Sequence, residues 1–484
     1  MSISSALSNA LSGLTANARA VNVVSSNLAN LDTEGYARRD IELAANSHGA
    51  SGGVQVVGVT RHVDAGLLGD RRMADGSLAH AQTRAGFIES VQNAIGTPDE
   101  PGSLSARLAA LEVSLVTAAA RPDAQDRLEA AAQRAGELTG ALRSASNHIQ
   151  SSRQDAEAGI ESAVQMLNTS FEQVQDLNRR ISDARGRGLG SSGLEDQRQV
   201  VIDRIAEFIP VREVPRNRGT VALMTPGGAL LVDSTAATLE FTRANVIAPH
   251  LTLDGGLLSG LVIDGQTVPP SGPRSPVAGG KLAALFELRD DLAPDAQAQI
   301  DAIARDVIER FQSPSVDATL GAGDPGLFTD GGAAFAPVNE TGIAGRVTLN
   351  ALVDPAQGGD AWRLRDGLNA AAPGPAGNSR QLHALSDALS ARGALASGGL
   401  GGGAGDASHH VAKLTSHFGQ LQVTEDRARS HSAALASETQ ERLLETGVDS
   451  DAETQRLLLI EQAYAANARM IRTLDEMMQT LLRI

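Results

Sequence analysis

Apolar side chains recur at alternating spacings of three and four through the first 31 residues: Ile3, Leu7, Ala10, Leu14, Val21, Val24, Leu28 and Leu31, with Asn17 interrupting the stripe. That spacing predicts a helix with a coiled-coil seam. Its flanks carry Ser, Asn and Ala instead of the salt-bridging charges of a free-standing dimer, so the helix is expected to meet partners around much of its circumference. The last 28 residues repeat the pattern with Leu457, Ile460, Tyr464, Ile471, Leu474, Met478 and Leu481, and Asn467 is the one polar member. Equal period and length predict that the two ends pair antiparallel. With flush termini, Asn17 comes within about one residue of Asn467, and the two amides are expected to meet and penalise slipped registers.

Between the ends, residues 73–95 and 103–120 read as helices separated by the breaker Gly96 to Gly102. Pro122 suits a first helical position, and the pattern runs on to Arg185 with a seam of Ile160, Val164, Leu167, Phe171, Val174 and Ile181, Asn178 being its exception. A helix of that length predicts a rod spanning about 90 Å. After the glycine-rich turn at 186–193, Leu194 to Phe208 resumes helix. From Val211 the texture changes to short alternating runs before Gly and Pro: Val221 to Met224, Leu251 to Leu253, and Leu261 to Ile263. Helix returns at 281–311, residues 312–380 read as mixed strand and loop, and helices follow at 381–393 and 408–445, with Gly398 to Gly405 as a flexible joint.

The predicted fold is therefore mainly α with an inserted β-rich domain, nested, elongated and multidomain. Residues 1–31 and 450–484 form a terminal antiparallel coiled coil. Residues 32–210, 281–313 and 381–449 form a helical rod domain, 211–280 the β-rich insertion, and 314–380 a mixed strand and loop segment. A chain of 484 residues exceeds the ~100–200 residues of one domain, in keeping with this division.

Aromatic residues are 2% of the chain against 42% hydrophobic, so Ala, Leu, Val and Ile carry the packing and favour helix bundles over pockets. A net charge of -16 disfavours nucleic acid and anionic membrane as partners. No run of roughly 18 apolar residues predicts a membrane helix, and the start lacks a cleavable signal, which by themselves point to the cytoplasm. The absence of Cys removes disulfides, thiolate metal sites and a cysteine nucleophile. The glycine run at 398–405 lacks the Gly-Lys-Ser/Thr close of a phosphate loop. His409, His410 and His417 lack metal-ligand spacing, and Asp317, Asp324 and Asp330 read as turn residues. No enzyme and no cofactor is expected.

Asn27-Leu28-Ala29-Asn30 leading into Thr33-Glu34-Gly35-Tyr36 resembles the rod and hook class of flagellar axial proteins, with Glu34 where that class usually has Pro. Residues Glu461 to Ile484 are similar to the terminal helix of the same class, matching at Tyr464, Asn467, Thr473, Asp475, Glu476, Met477 and Leu481. The long helix at 122–185 and the segment Leu194 to Phe208 look like the first hook-associated proteins of the hook-filament junction more than the rod or hook proteins. The resemblance implies an extracellular structural subunit exported uncleaved through the flagellar type III apparatus, reversing the cytoplasmic reading. It implies a chaperone on the C-terminal helix and a thin ring of copies between hook protein and a second junction protein. The motif positions are then Asn30, Thr33, Gly35 and Tyr36. The expected interface is Leu7, Leu14, Asn17, Val21 and Leu28 against Leu457, Tyr464, Asn467, Ile471 and Met478, with both ends largely disordered in the monomer. A hook or distal rod protein, or a cytosolic coiled-coil scaffold, are the alternatives.

Overall fold

A computed structural model describes residues 3–46 and 52–483. Helix α1 (Ile3–Ala29) leads through a turn to strands β1 (Arg39–Ala45) and β2 (Val54–Arg61), an antiparallel hairpin paired from Arg39↔Arg61 to Ala45↔Val54 with a slip between Glu42 and Leu43. The hydrophobic pattern did not predict this hairpin. Helix α2 (Ala65–Ile95) starts two turns earlier than predicted because the Asp64 carboxylate caps it, accepting from the Leu67 amide at 3.0 Å. The predicted breaker separates it from α3 (Leu104–Ala120), which Ser103 caps.

Helix α4 (Gln125–Gly186) has 62 residues and is about 90 Å long. Pro122 lies in the turn before it and not at its first position, and the Pro122 carbonyl accepts from the buried Arg365 at 3.3 Å. One apolar cluster follows α4 from Leu128 to Ala156, and a second from Ile160 to Val174. Helix α5 (Ser192–Phe208) packs on the second half of α4. The β-rich insertion then forms two antiparallel three-stranded sheets, β3 (Arg212–Pro215), β4 (Val221–Met224) and β5 (Leu230–Val232), and β6 (Leu239–Glu240), β7 (Leu261–Ile263) and β8 (Gln266–Val268). Asn178, the polar exception in the α4 seam, explains how the insertion docks. Its amide donates to the Val221 carbonyl at 2.8 Å and accepts from the Val221 amide at 3.1 Å, so it completes the β4 ladder from the side. Leu251 to Leu253 is a loop and not a strand, since buried Arg153 takes the Ala248 and Leu251 carbonyls that a ladder would have used.

The predicted helix at 281–311 is interrupted. Helix α6 (Lys281–Glu287) passes through a π-turn at Leu288–Leu292 into α7 (Ala293–Phe311). That turn carries fully buried Arg289, which pairs with buried Glu157 at 2.7 Å and with Asp290 at 2.8 Å, between the two apolar clusters. Strand β9 (Phe328–Asp330), helix α8 (Ile343–Arg346), strand β10 (Val347–Leu349), and helices α9 (Arg363–Asp366) and α10 (Arg380–Ser390) follow. Phe328, Ile343, Val347 and Leu364 from 314–380 join the first apolar cluster with α3, α4 and α7, so this segment shares the core of the rod. The glycine segment is pinned, unlike the free joint expected: Gly393 and Gly405 exchange backbone hydrogen bonds, and Lys413 donates to the Gly401 and Gly402 carbonyls at 3.1 Å. Helix α11 (Ala407–Glu445) runs along α2, where Arg84 reaches Glu425 at 2.8 Å and Glu287 at 2.5 Å, and α12 (Ser450–Leu482) returns to α1.

Candidate assembly interface

The turn after α1 is held by Asn27, which is fully buried. Its side-chain oxygen accepts from the Tyr36 hydroxyl at 2.8 Å and the Arg39 amide at 3.0 Å, while its nitrogen donates to the Arg39 carbonyl at 2.9 Å. Asn30 donates to the Ser26 carbonyl at 2.8 Å and accepts from the Thr33 hydroxyl at 3.1 Å, closing the end of the helix. Gly35 has φ +76°, and a Cβ there would overlap a Val200 methyl group. The Arg39 guanidinium lies 4.6 Å from the centre of the Tyr36 ring and pairs with Asp196 of α5 at 2.5 Å; Arg61 pairs with the other Asp196 oxygen at 2.6 Å. The motif thus fixes the direction in which α1 leaves the rod. Arg39, Arg61 and Asp196 escaped the sequence reading, because charges far apart in the chain give no local signal of pairing.

Gly13 of α1 faces Asn467 of α12, while Asp40, beside the far end of α1, pairs with Arg456; the two helices therefore run antiparallel. The register differs from the flush one expected. Asn467 occupies the space that a Cβ on Gly13 would take, and the Asn17 side-chain nitrogen, one turn on, is buried without an acceptor among the described residues. The reason is close approach at the residue that lacks a side chain. The buried positions of α1 are small or polar, namely Ala10, Ala16, Ala20, Val24 and Asn27.

Of the residues expected in the seam, Leu14, Asn17, Val21, Leu457, Asn467 and Ile471 are half-buried, whereas Leu7, Leu28, Tyr464 and Met478 are exposed. Leu11, Leu458, Leu459, Met470, Met477 and Leu481 are exposed as well. Arg19 is the single charged residue in α1. A two-helix element this apolar and this open has surface left for further helices. The hairpin lies along α1 on another side, with the Val54 amide donating to the Ser12 hydroxyl at 3.2 Å.

Asp40 ties α12 to the hairpin. It pairs with Arg38 at 2.8 Å, lies 2.7 Å from His62 Nε2, and accepts from Arg456. Burial pushes its carboxyl up, but the hydrogen bonds and charges of Arg456 and Arg38 outweigh burial and hold its pKa below the ordinary carboxylate value.

Of the residues weighed for chemistry, His409 is exposed, and the others have structural partners. His410 is buried with Nδ1 3.1 Å from Asp306, and His417 Nε2 is 3.1 Å from the Gln299 amide. Asp317 accepts from the Thr319 and Leu368 amides, Asp324 from the Gly321 amide, and Asp330 pairs with Arg346. No metal-ligand cluster, and no helix long and apolar enough to cross a membrane, occurs among the described residues.

Residues 88–323 match the flagellar hook-associated protein FlgK helical domain, residues 7–36 the flagella basal body rod protein family, and residues 439–484 the flagellar basal body rod FlgEFG protein C-terminal family. The chain is 28% identical to flagellar hook-associated protein 1 of Salmonella typhimurium over 54% of this chain and 51% of that one, so it spans about half the length of that relative. It is 26% identical to the protein of the same name in Escherichia coli K12, over 54% of this chain and 52% of that one, and 22% identical to the one in Bacillus subtilis, over 98% of this chain and 97% of that one. The flagellar hook junction protein FlgK from Burkholderia pseudomallei overlays with a TM-score of 0.43 at 20% identity, over 55% of this chain and 47% of that one. With a helical-domain match in the middle and axial-protein matches at both ends, the chain is similar to flagellar hook-associated protein 1 in the order of its parts.

Proposed function

We propose that this chain is a structural, non-enzymatic subunit of the bacterial flagellum that joins hook to filament. In this reading it is exported by the type III route and assembles outside the cell, with copies of itself, hook protein and a second junction protein as neighbours. The observation that carries the reading is the terminal element: α1 has one charged residue, and both α1 and α12 leave large apolar side chains exposed. Such helices gain by packing against more helices, which a tubular assembly supplies. Leu7, Leu28, Tyr464 and Met478 then meet neighbouring subunits, while the half-buried Leu14, Val21, Leu457 and Ile471 hold the antiparallel coiled coil of each subunit. Before assembly an export chaperone covers the C-terminal helix. Asn30, Thr33, Gly35 and Tyr36 set the angle between terminal helices and rod.

Deletion of the gene, with electron microscopy of the cells and assay of the medium for unpolymerised filament protein, tests the proposal. Bare hooks with filament protein lost to the medium are expected. Missing hooks move the role to a hook or distal rod protein, and normal filaments overturn it in favour of a cytosolic scaffold.

A further inference from the structure

Copies of a chain with net charge -16 repel one another, so lateral association requires local complementarity. Two oppositely charged faces supply it. At the end of α4 and the start of the insertion, Arg179, Arg180, Arg187, Arg216 and Arg218 are exposed around a groove of about 890 Å³, where Arg179 and Arg216 are joined by Asp183 and Asp233, and across the face the arginines outnumber the carboxylates. Arg179 pairs with Asp176 at 3.0 Å and Arg216 with Asp233 at 3.4 Å, but Arg187 and Arg218 have no carboxylate partner among the described residues. At the end of α11 and the start of α12, Glu438, Glu441, Glu445, Asp449 and Asp451 are exposed; among the described residues only Glu438 of these has a cationic partner, Arg442 at 2.7 Å. Each face also offers an apolar contact, Leu189 beside the arginines and Leu444 among the acids.

The two faces sit at one level of the molecule, each beside the end of β2. Consecutive residues of one strand end mark this. Arg61 lines a groove together with Arg185 and Leu189, whereas His62 lines a cleft with Arg38 and Thr446. Helix α2 is joined to α5 through Arg72 and Asp203 at 2.6 Å and to α11 through Arg84 and Glu425.

We infer that the arginine face of one subunit docks the acidic end of α11 of the next copy, in a lateral contact that repeats around the junction. Because the two faces differ, the contact is heterologous, and it closes into a ring when the rotation between copies divides a full turn. This rests on the proposed assembly and names the surfaces that make it.

The chain has no Cys, so Arg187→Cys and Glu445→Cys in one full-length chain introduce the only thiols. Flagella sheared from cells expressing that variant are treated with a flexible bis-maleimide and separated under denaturing conditions. A ladder of dimer, trimer and higher species is expected, since every contact brings one thiol of each kind together. A dimer without higher species overturns the heterologous contact, and uncrosslinked variant within intact flagella overturns these surfaces while leaving the junction role standing. Variant missing from flagella while wild-type chain is present is resolved by charge exchange: Arg187→Glu with Arg218→Glu lowers incorporation about tenfold. Adding Glu441→Arg and Glu445→Arg restores it, and failure to restore overturns the contact. Wild-type chain absent from flagella overturns the junction role and this contact together.

Discussion

Arg456 of α12 is ion-paired with Asp40 of β1, so the C-terminal helix is fastened to the hairpin that separates the terminal helices from the rod. The Asp40 pKa is depressed in the folded chain, despite burial, by Arg456 and Arg38. A depressed carboxyl contributes stability above its unfolded pKa, near 4, and loses it as pH falls through the lower folded value. The protection of α12 amides, taken relative to their intrinsic exchange at each pH, is therefore expected to fall below about pH 4, ahead of protection in α4. In Asp40→Asn the protection of α12 is already low at neutral pH and less dependent on acid. Equal acid sensitivity in both proteins would show that this pair does not fasten the helix.

Gly13 and Asn467 set the register of the terminal pair. A Cβ at position 13 would lie 2.7 Å from the Asn467 side-chain nitrogen, a flexible group that can move. In Gly13→Ala the gain in helix propensity, about 1 kcal/mol, offsets the displacement, and near-neutral stability is expected. Gly13→Leu overfills the contact at a cost of about 1–3 kcal/mol. Asn467→Ala should restore part of that loss. Protease resistance of α12 across the four variants reads the outcome, and an Asn467→Ala change that gives Gly13→Leu no relief would contradict the contact.

Asn27→Ala removes partners from the Tyr36 hydroxyl and from both backbone groups of Arg39. Each buried polar group left unpaired costs about 1–3 kcal/mol. The rod should keep its melting behaviour while the hairpin and α1 lose protection from exchange. Asn27→Asp tests direction: it retains the acceptor for Tyr36 and Arg39 but loses the donor to the Arg39 carbonyl, so its loss should be smaller. A variant Asn27→Ala with native protection in both elements would remove the motif from the role assigned to it.

The long helices were legible because their apolar residues keep one period, and the α4 seam from Ile160 to Ile181 is buried as that period requires. Asn178 was legible as an exception but not as the dock of β4, a partner 43 positions away. The hairpin was not legible. Its strands form only one two-stranded pair, slipped at Glu42 and Leu43, and several of its apolar residues, such as Val57 and Val59, remain exposed. Along α1, the stripe correctly included Ala10 and Val24, but it also pointed to Leu7 and Leu28, whereas the chain buries Ala16 and Ala20, whose small side chains allow close approach. Hydrophobicity ranks Leu above Ala. Geometry reversed that order wherever two backbones meet.

Asp301 gives the rod its own pH dependence. It is buried beneath α8, accepting from the Gly342 amide at 2.7 Å and from the Ala344 amide and Gln297 side chain at 2.9 Å. Burial outweighs these donors and pushes its pKa up to about 6. Between its unfolded value near 4 and about 6, the folded state holds more protons than the unfolded one, so this group's contribution to stability falls as pH rises through that window. The fall is about 1.4 kcal/mol per pH unit at most. In Asp301→Asn nothing titrates there, and the neutral amide still offers one oxygen to the α8 amides. Denaturant unfolding of both proteins from pH 4 to 7 gives the comparison. Wild type minus Asp301→Asn is expected to decline from pH 4 to 6 and then level off, because other carboxylates contribute equally to both curves and cancel. A difference that rises with pH over that range means that the three donors, and not burial, set the charge state of Asp301.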